Sequence, residues 1–196
     1  LHNLVLQLNG MAHSPEQEYS LGRILKEYAW DKWKCWFFDP QQKDASLQEK
    51  QNHFTNVIQP LFDDANICME NQEDFGGLAV SYGQQGSIFL FDILQYDLAE
   101  DMYQKDLNVV QEHHFGGDES STLNRLSLSI LNRLCQDWNQ LQQEDRDSRI
   151  QQSKEYAESA VNIARKRNET PNYAFAVKQL LDVNAVEYHA NGQVNL

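Results

Sequence analysis

Metal-ligating side chains crowd together at one place in this chain, Glu112-His113-His114, with Asp118 and Glu119 close behind. A zinc-type ion needs three or four such groups converging on one point. Neighbouring residues of a helix project about 100° apart at 3.6 residues per turn, so His113 and His114 do not grip one ion together. They read instead as imidazoles at the negative end of a helix, where positive charge is stabilised. Cys35, flanked by Lys32 and Lys34, is the best-placed nucleophile, because a thiolate gains from nearby cations. Against that, Trp33, Trp36, Phe37 and Phe38 surround it in sequence and point to a buried, inert thiol, and the negative end of a helix disfavours an anion. Serine hydrolysis would require a G-x-S-x-G elbow, which is absent. Gly76-Gly77 and Gly116-Gly117 lack the spacing and the lysine of a phosphate loop and read as turns. Carboxylate pairs suited to acid-base work occur at Asp63-Asp64, Glu73-Asp74, Glu100-Asp101 and Asp118-Glu119, but among 29 acidic residues no pair stands out. No residue is therefore assigned a catalytic, cofactor or metal role.

Two features rise above this background, and both suit binding. Between Tyr28 and Phe38 lie three tryptophans and two phenylalanines, more than one helix can turn towards a single core. Trp30, Trp33, Trp36 and Phe37 are the candidate anchors, since Trp and Tyr dominate binding energy at protein interfaces. The second is a run of carboxylates, Asp92, Asp97, Glu100, Asp101 and Asp106, expected on the polar side of one helix, with Asp97, Glu100 and Asp101 as the candidate contacts for a basic partner.

The elements that must position these residues are mostly helices. Leu1, Leu4, Val5 and Leu8 suggest a short amphipathic helix. Ser14-Pro15-Glu16-Gln17 is a helix start of cap, proline and capping-box glutamine, and Asp39-Pro40 is the stop after Phe38. Ser46-Leu47-Gln48-Glu49 opens a second helix through Phe54, Val57, Ile58 and Leu61, with Pro60 marking a kink or restart. Leu94, Leu98, Met102, Leu107 and Val110 repeat with a helical period, as do Leu123, Leu126, Ile130, Leu134, Trp138 and Leu141. A helix from about 148 to 168 ends in Arg165-Lys166-Arg167, and Thr170-Pro171 begins a short one through Leu181. Between these, Gly76 to Phe91 predicts two strands about a glycine turn, and Asn191-Gly192 predicts a hairpin between Val186–His189 and Gln193–Leu196. The expected fold is α+β, predominantly α-helical, with six to seven helices and a small antiparallel β component in hairpins near 77–92 and 184–196. No repeat, low-complexity tract or linker divides residues 1–196, so one globular domain is expected.

Composition narrows the function classes. A chain of 196 residues with 41% hydrophobic side chains buries a real core. A net charge of -13 repels phosphate backbones and anionic lipid, which excludes nucleic acid and membrane surfaces as direct partners. Three cysteines without CxxC spacing predict a reducing, cytoplasmic setting. No apolar run approaches the roughly 20 residues of a membrane span. The expectation is a non-enzymatic acidic module that binds a protein or peptide segment, basic segments included, without a cofactor. Adaptors or chaperones of bacterial secretion and other multiprotein complexes are of this kind. The alternatives are an immunity-type inhibitor of a basic toxin or enzyme, an enzyme whose carboxylate and His groups assemble from distant residues, and, ranked below these, an acidic mimic of DNA.

Overall fold

The computed structural model describes residues 15–114 and 119–190. The chain divides into two compact units, Leu1–Leu94 and Gln95–Leu196. The short helix expected over Leu1–Leu8, the cap Ser14, the Gly116-Gly117 turn and the Asn191-Gly192 turn lie outside the described residues.

In the first unit, α1 (Pro15–Phe37) runs to the stop expected at Asp39-Pro40, where a single 3-10 turn, Pro40–Gln42, follows. Leu21, Leu25, Ala29 and Trp33 recur every four residues and form its buried stripe. The Ser46 capping box forms as expected: Glu49 N–H donates to Ser46 Oγ, and Ser46 N–H donates to Glu49 Oε2 at 2.8 Å. It opens α2 (Leu47–His53), which continues through a π-helical turn, Phe54–Ile58, into α3 (Gln59–Asn71). Pro60 explains the widened turn. A proline ring collides with the carbonyl four residues back in a regular helix, and the π turn relieves this by letting Gln59 N–H reach Phe54 O instead.

The β-hairpin expected near 77–92 is not there. Among the described residues there is no strand, and this stretch is α4 (Phe75–Ser87) followed by a second π turn, Ile88–Asp92. Leu78, Ser81, Gln85, Ile88 and Phe89 are buried at helical spacing. Two of those core positions are polar, which hid the period. Ser81 Oγ donates to Asn66 Oδ1 at 2.6 Å, Gln85 Nε2 reaches Ser81 Oγ at 3.3 Å, and Gln59 Nε2 donates to Gln85 Oε1 at 2.9 Å. Each buried group thus finds a partner on α3 or α4. Gly77 serves close packing instead of a hairpin turn: a Cβ there would lie 2.7 Å from Met69 Sδ.

Asp74 joins the pieces. It caps α4 through the Gly77 N–H at 3.1 Å, and both its oxygens accept from Arg23 of α1, at 2.7 and 2.8 Å. Burial opposes ionisation, but the Arg23 hydrogen bond, the Gly77 N–H and the charges of Arg23 and Lys26 together hold the carboxyl below its ordinary value. α3 ends just before it in a Schellman turn, with Asp74 N–H on Met69 O at 2.8 Å and Glu73 N–H on Glu70 O at 3.1 Å. This places Glu73 in the left-handed region at φ 53°.

The second unit is a helical bundle: α5 (Tyr96–Glu112), α6 (Glu119–Asp137), α7 (Gln143–Lys166) and α8 (Thr170–Ala190). α6 buries the Leu123–Leu134 stripe read from sequence. Small side chains let it approach its neighbours: Ser127 and Ser153 hydroxyls meet at 2.9 Å, and Gln179 Nε2 reaches Ser127 Oγ at 3.3 Å. The hairpin expected near 184–196 is overturned up to Ala190, because α8 continues through it. Val183 sits in a core with Leu131, Leu134 and Ile150, and Val186 and Ala190 pack on that core. The spacing of three and four residues outweighs the alternation that suggested a strand.

Two outcomes test this packing. Gly22→Ala places a methyl 2.8 Å from Met69 Cγ and 3.2 Å from Ala65 O; urea denaturation is expected to show a loss of about 1–3 kcal/mol from overpacking. Glu73→Gly relieves a left-handed residue on the surface and is expected to raise stability by about 0.5–1 kcal/mol in the same assay.

Candidate functional site

The aromatic cluster separates into a core member and an edge. Trp33 is buried, and its indole Nε1 donates to Asp92 Oδ2 at 2.7 Å. Around it stand Phe54 edge-on at 5.6 Å, Phe37 at 5.5 Å and Trp36 at 5.6 Å. Trp36 is half-buried and lies flat on the His53 ring, 4.1 Å away and 9° from parallel. Trp30 and Phe37 are half-buried as well. Phe38, not among the anchors chosen from sequence, is the most exposed of the group at 73%, edge-on to Phe37 at 5.2 Å.

Lysines border this edge. Lys34 lies over the Trp30 ring at 4.5 Å and Lys50 over the Phe37 ring at 5.0 Å, contacts in which the ring face attracts the ammonium. Burial pushes the Asp92 carboxyl above the ordinary carboxylate range, although the Trp33 N–H and the charges of Lys50 and Lys34 pull the other way. His53 is shifted below its ordinary value, first by burial and then by the charge of Lys32, and its Nε2 is buried without a hydrogen-bond partner. The sequence pattern located α2 and α1 but not the stacking of His53 on Trp36 or the capture of Trp33 by Asp92. Both pairs join residues far apart in the chain, for which spacing carries no signal.

The carboxylate candidates belong to the other unit. Asp97 and Asp101 are exposed on α5, with Asp101 3.0 Å from Lys105. Glu100 is half-buried between Arg133 at 3.5 Å and Arg149 at 3.9 Å. Asp106 is buried and accepts from Thr122 Oγ1 at 2.8 Å. Asp92 precedes α5 and faces Trp33. Of the carboxylates in this run, several of them expected on one polar face, Asp97 and Asp101 are exposed on α5, while the others have partners inside the fold.

Cys35 is exposed, contrary to the buried thiol expected from its aromatic neighbours, which turn to other sides of α1. His113 caps α5 and His114 takes a left-handed turn at φ 59°. Among the described residues no group of three or more His, Cys, Asp or Glu side chains is arranged to hold a metal ion, and no helix is long and apolar enough to cross a membrane. Comparison with known protein families, characterised proteins and solved structures returned no match to this chain.

The Trp33–Asp92 and His53 environments make distinct predictions. Asp92→Ala strands a buried indole N–H and is expected to cost about 1–3 kcal/mol. Asp92→Asn keeps an acceptor and removes a desolvated charge, so at pH 7 its unfolding midpoint is expected to equal or exceed that of the native chain. For His53, a folded pKa below the unfolded one means that the unfolded chain takes up a proton the folded chain refuses. Its share of stability is therefore present above about pH 6.5 and lost as pH falls below that. Comparing unfolding midpoints at neutral and mildly acidic pH is expected to show a smaller acid loss for His53→Phe, which keeps a ring against Trp36.

Proposed function

We propose that this protein is a non-enzymatic, acidic protein-binding module of the adaptor or chaperone kind, which holds a segment of a partner protein against the aromatic end of α1. The observation that carries this reading is the edge formed by Phe38, Phe37 and Trp36. Phe38 is 73% exposed and edge-on to half-buried Phe37, while half-buried Trp36 stacks on His53. Aromatic side chains such as those of this shelf have few rotatable bonds and lose little conformational freedom on binding, which favours affinity. In sequence, Lys32, Lys34 and Lys50 stand against Asp31, Asp39 and Glu49 around this edge, so its formal charge balances. The partner segment is accordingly apolar where it touches the shelf. The net charge of -13 acts at longer range and favours a partner that is basic overall.

A second reading, inhibition of a basic toxin or enzyme, is favoured by the outward side of α3. Asp63, Asp64 and Glu70 are exposed there around Ile67, and residues 51–94 contain no Lys or Arg. The two readings differ in what sets affinity. Adaptor binding rests on apolar contact and tolerates salt, whereas charge-led inhibition associates fast and weakens steeply with ionic strength.

Capture of partners from the cells that make the protein, with Phe38→Ala run beside the native chain, tests the proposal. A protein retained by the native chain in moderate salt and lost from the variant is expected; at an exposed position the substitution leaves the helical circular dichroism unchanged. Equal retention by both chains, or retention of no protein, would sink it. Retention lost to salt or to Asp63→Asn with Asp64→Asn, but not to Phe38→Ala, would favour inhibition.

A further inference from the structure

α8 is apolar on two sides. Ala176, Gln179 and Val183 are buried in the bundle, with Val186 and Ala190 packed beside them. The outer side presents Ala174, Lys178, Leu181, Ala185 and Tyr188, all exposed, with Leu181 at 63% and Tyr188 at 51%. These positions advance by four, three, four and three residues, the rhythm with which a helix keeps one seam towards a second helix. An ordinary bundle helix turns charged residues outward instead. Here the only charged residue on the seam is Lys178, whose Nζ lies 2.6 Å from Asp182.

We propose that this seam is where two copies of the chain pair, α8 against α8 in antiparallel sense about a two-fold axis at Leu181. The seam is its own complement. Ala174 and Tyr188 stand seven residues either side of Leu181, so reversing the helix sets Tyr188 of one copy opposite Ala174 of the other. Lys178 comes opposite Ala185 to within one residue. Away from the axis a large side chain meets a small one, which lets helices pack closely. Leu181 meets its own copy on the axis, as an isologous contact requires. Phe175, 59% exposed at the flank, extends the apolar contact.

Charge selects the same occupant. Two copies carrying -13 each repel wherever acidic surfaces meet, and this seam is compensated. Lys178 is matched by Asp182, and Glu187 at its border is held by Lys154 at 2.7 Å. A basic partner gains nothing from such a face, and anionic lipid is repelled by the chain as a whole. Two heptads make a small interface, at or below the low end of specific ones, about 1,200 Å2 in total. The dimer is therefore expected at micromolar concentration, and it rests on residues other than the aromatic shelf of α1.

Sedimentation equilibrium of the full chain from about 1 to about 200 μM brackets such a constant. A monomer–dimer equilibrium is expected, weakened at least tenfold by Leu181→Asp with helical circular dichroism unchanged. In a chain carrying Cys35→Ser and Cys135→Ser, Leu181→Cys is expected to form a disulfide-linked dimer on mild oxidation far faster than Gln151→Cys, an exposed position on α7. A monomer throughout the range, a dimer indifferent to Leu181→Asp, or equal cross-linking at the two positions would each overturn the pairing. Loss of the α1 partner with this dimer intact would leave it standing.

Discussion

An indole cannot be buried without giving its N–H an acceptor, and the first unit is arranged around that requirement. Trp33 lies inside α1's apolar stripe, so its N–H points where water does not reach, and the carboxylate of Asp92 meets it at 2.7 Å. To deliver Asp92, α4 must widen into its π turn and stop, with Ile93 N–H on Ile88 O at 3.1 Å and Leu94 in the left-handed region. To close the other side of the indole, Phe54 must arrive from α2, which brings His53 with it onto Trp36. The exposed aromatic edge is thus a by-product of the core. Trp36 and Phe37 are left half-buried against Trp33, and Phe38, just past the end of α1, stays exposed.

Both units spend core positions on small polar residues, and in each a group of them hydrogen-bonds internally. Ser81, Asn66 and Gln85 do so between α3 and α4; Ser127, Ser153 and Gln179 do so among α6, α7 and α8. Serine occupies little more room than alanine, so helices draw close, and the hydroxyl pairs fix one register because a shifted helix would leave them without partners. The interior is therefore specified by hydrogen bonds as well as by volume.

This strategy also decides what could be read in the chain. Helix boundaries were legible where they rest on local chemistry: the Asp39-Pro40 stop and the Ser46 capping box stand where the residue types place them, and the Thr170-Pro171 start falls within one residue, Thr170 being the first residue of α8 and not its cap. The two hairpins were misread for opposite reasons. In α4, Ser81 and Gln85 interrupt the apolar period while glycines imitate turns. In α8, apolar residues on both faces blur the period until Val186 and Glu187 resemble an alternating strand. The aromatic cluster was legible as a group, but its division into Trp33 inside and Phe38 outside depends on Asp92, Phe54 and His53, which are distant in sequence. The acidic surface was overread, since Asp106 and Glu100 are drawn inward by Thr122, Arg133 and Arg149.

The uneven placement of cations has a practical side. No Lys or Arg occurs between Lys50 and Lys105, a span that includes α3, α4 and the boundary between the units at Leu94 and Gln95. A protease specific for basic residues has nothing to cut there, so trypsin cannot release the two units from each other at that boundary, however accessible the backbone. A protease specific for acidic residues has Asp92, Asp97 and Glu100 close to hand. Resistance to the first enzyme alongside cleavage by the second would report the charge pattern of this chain, not the firmness of its fold.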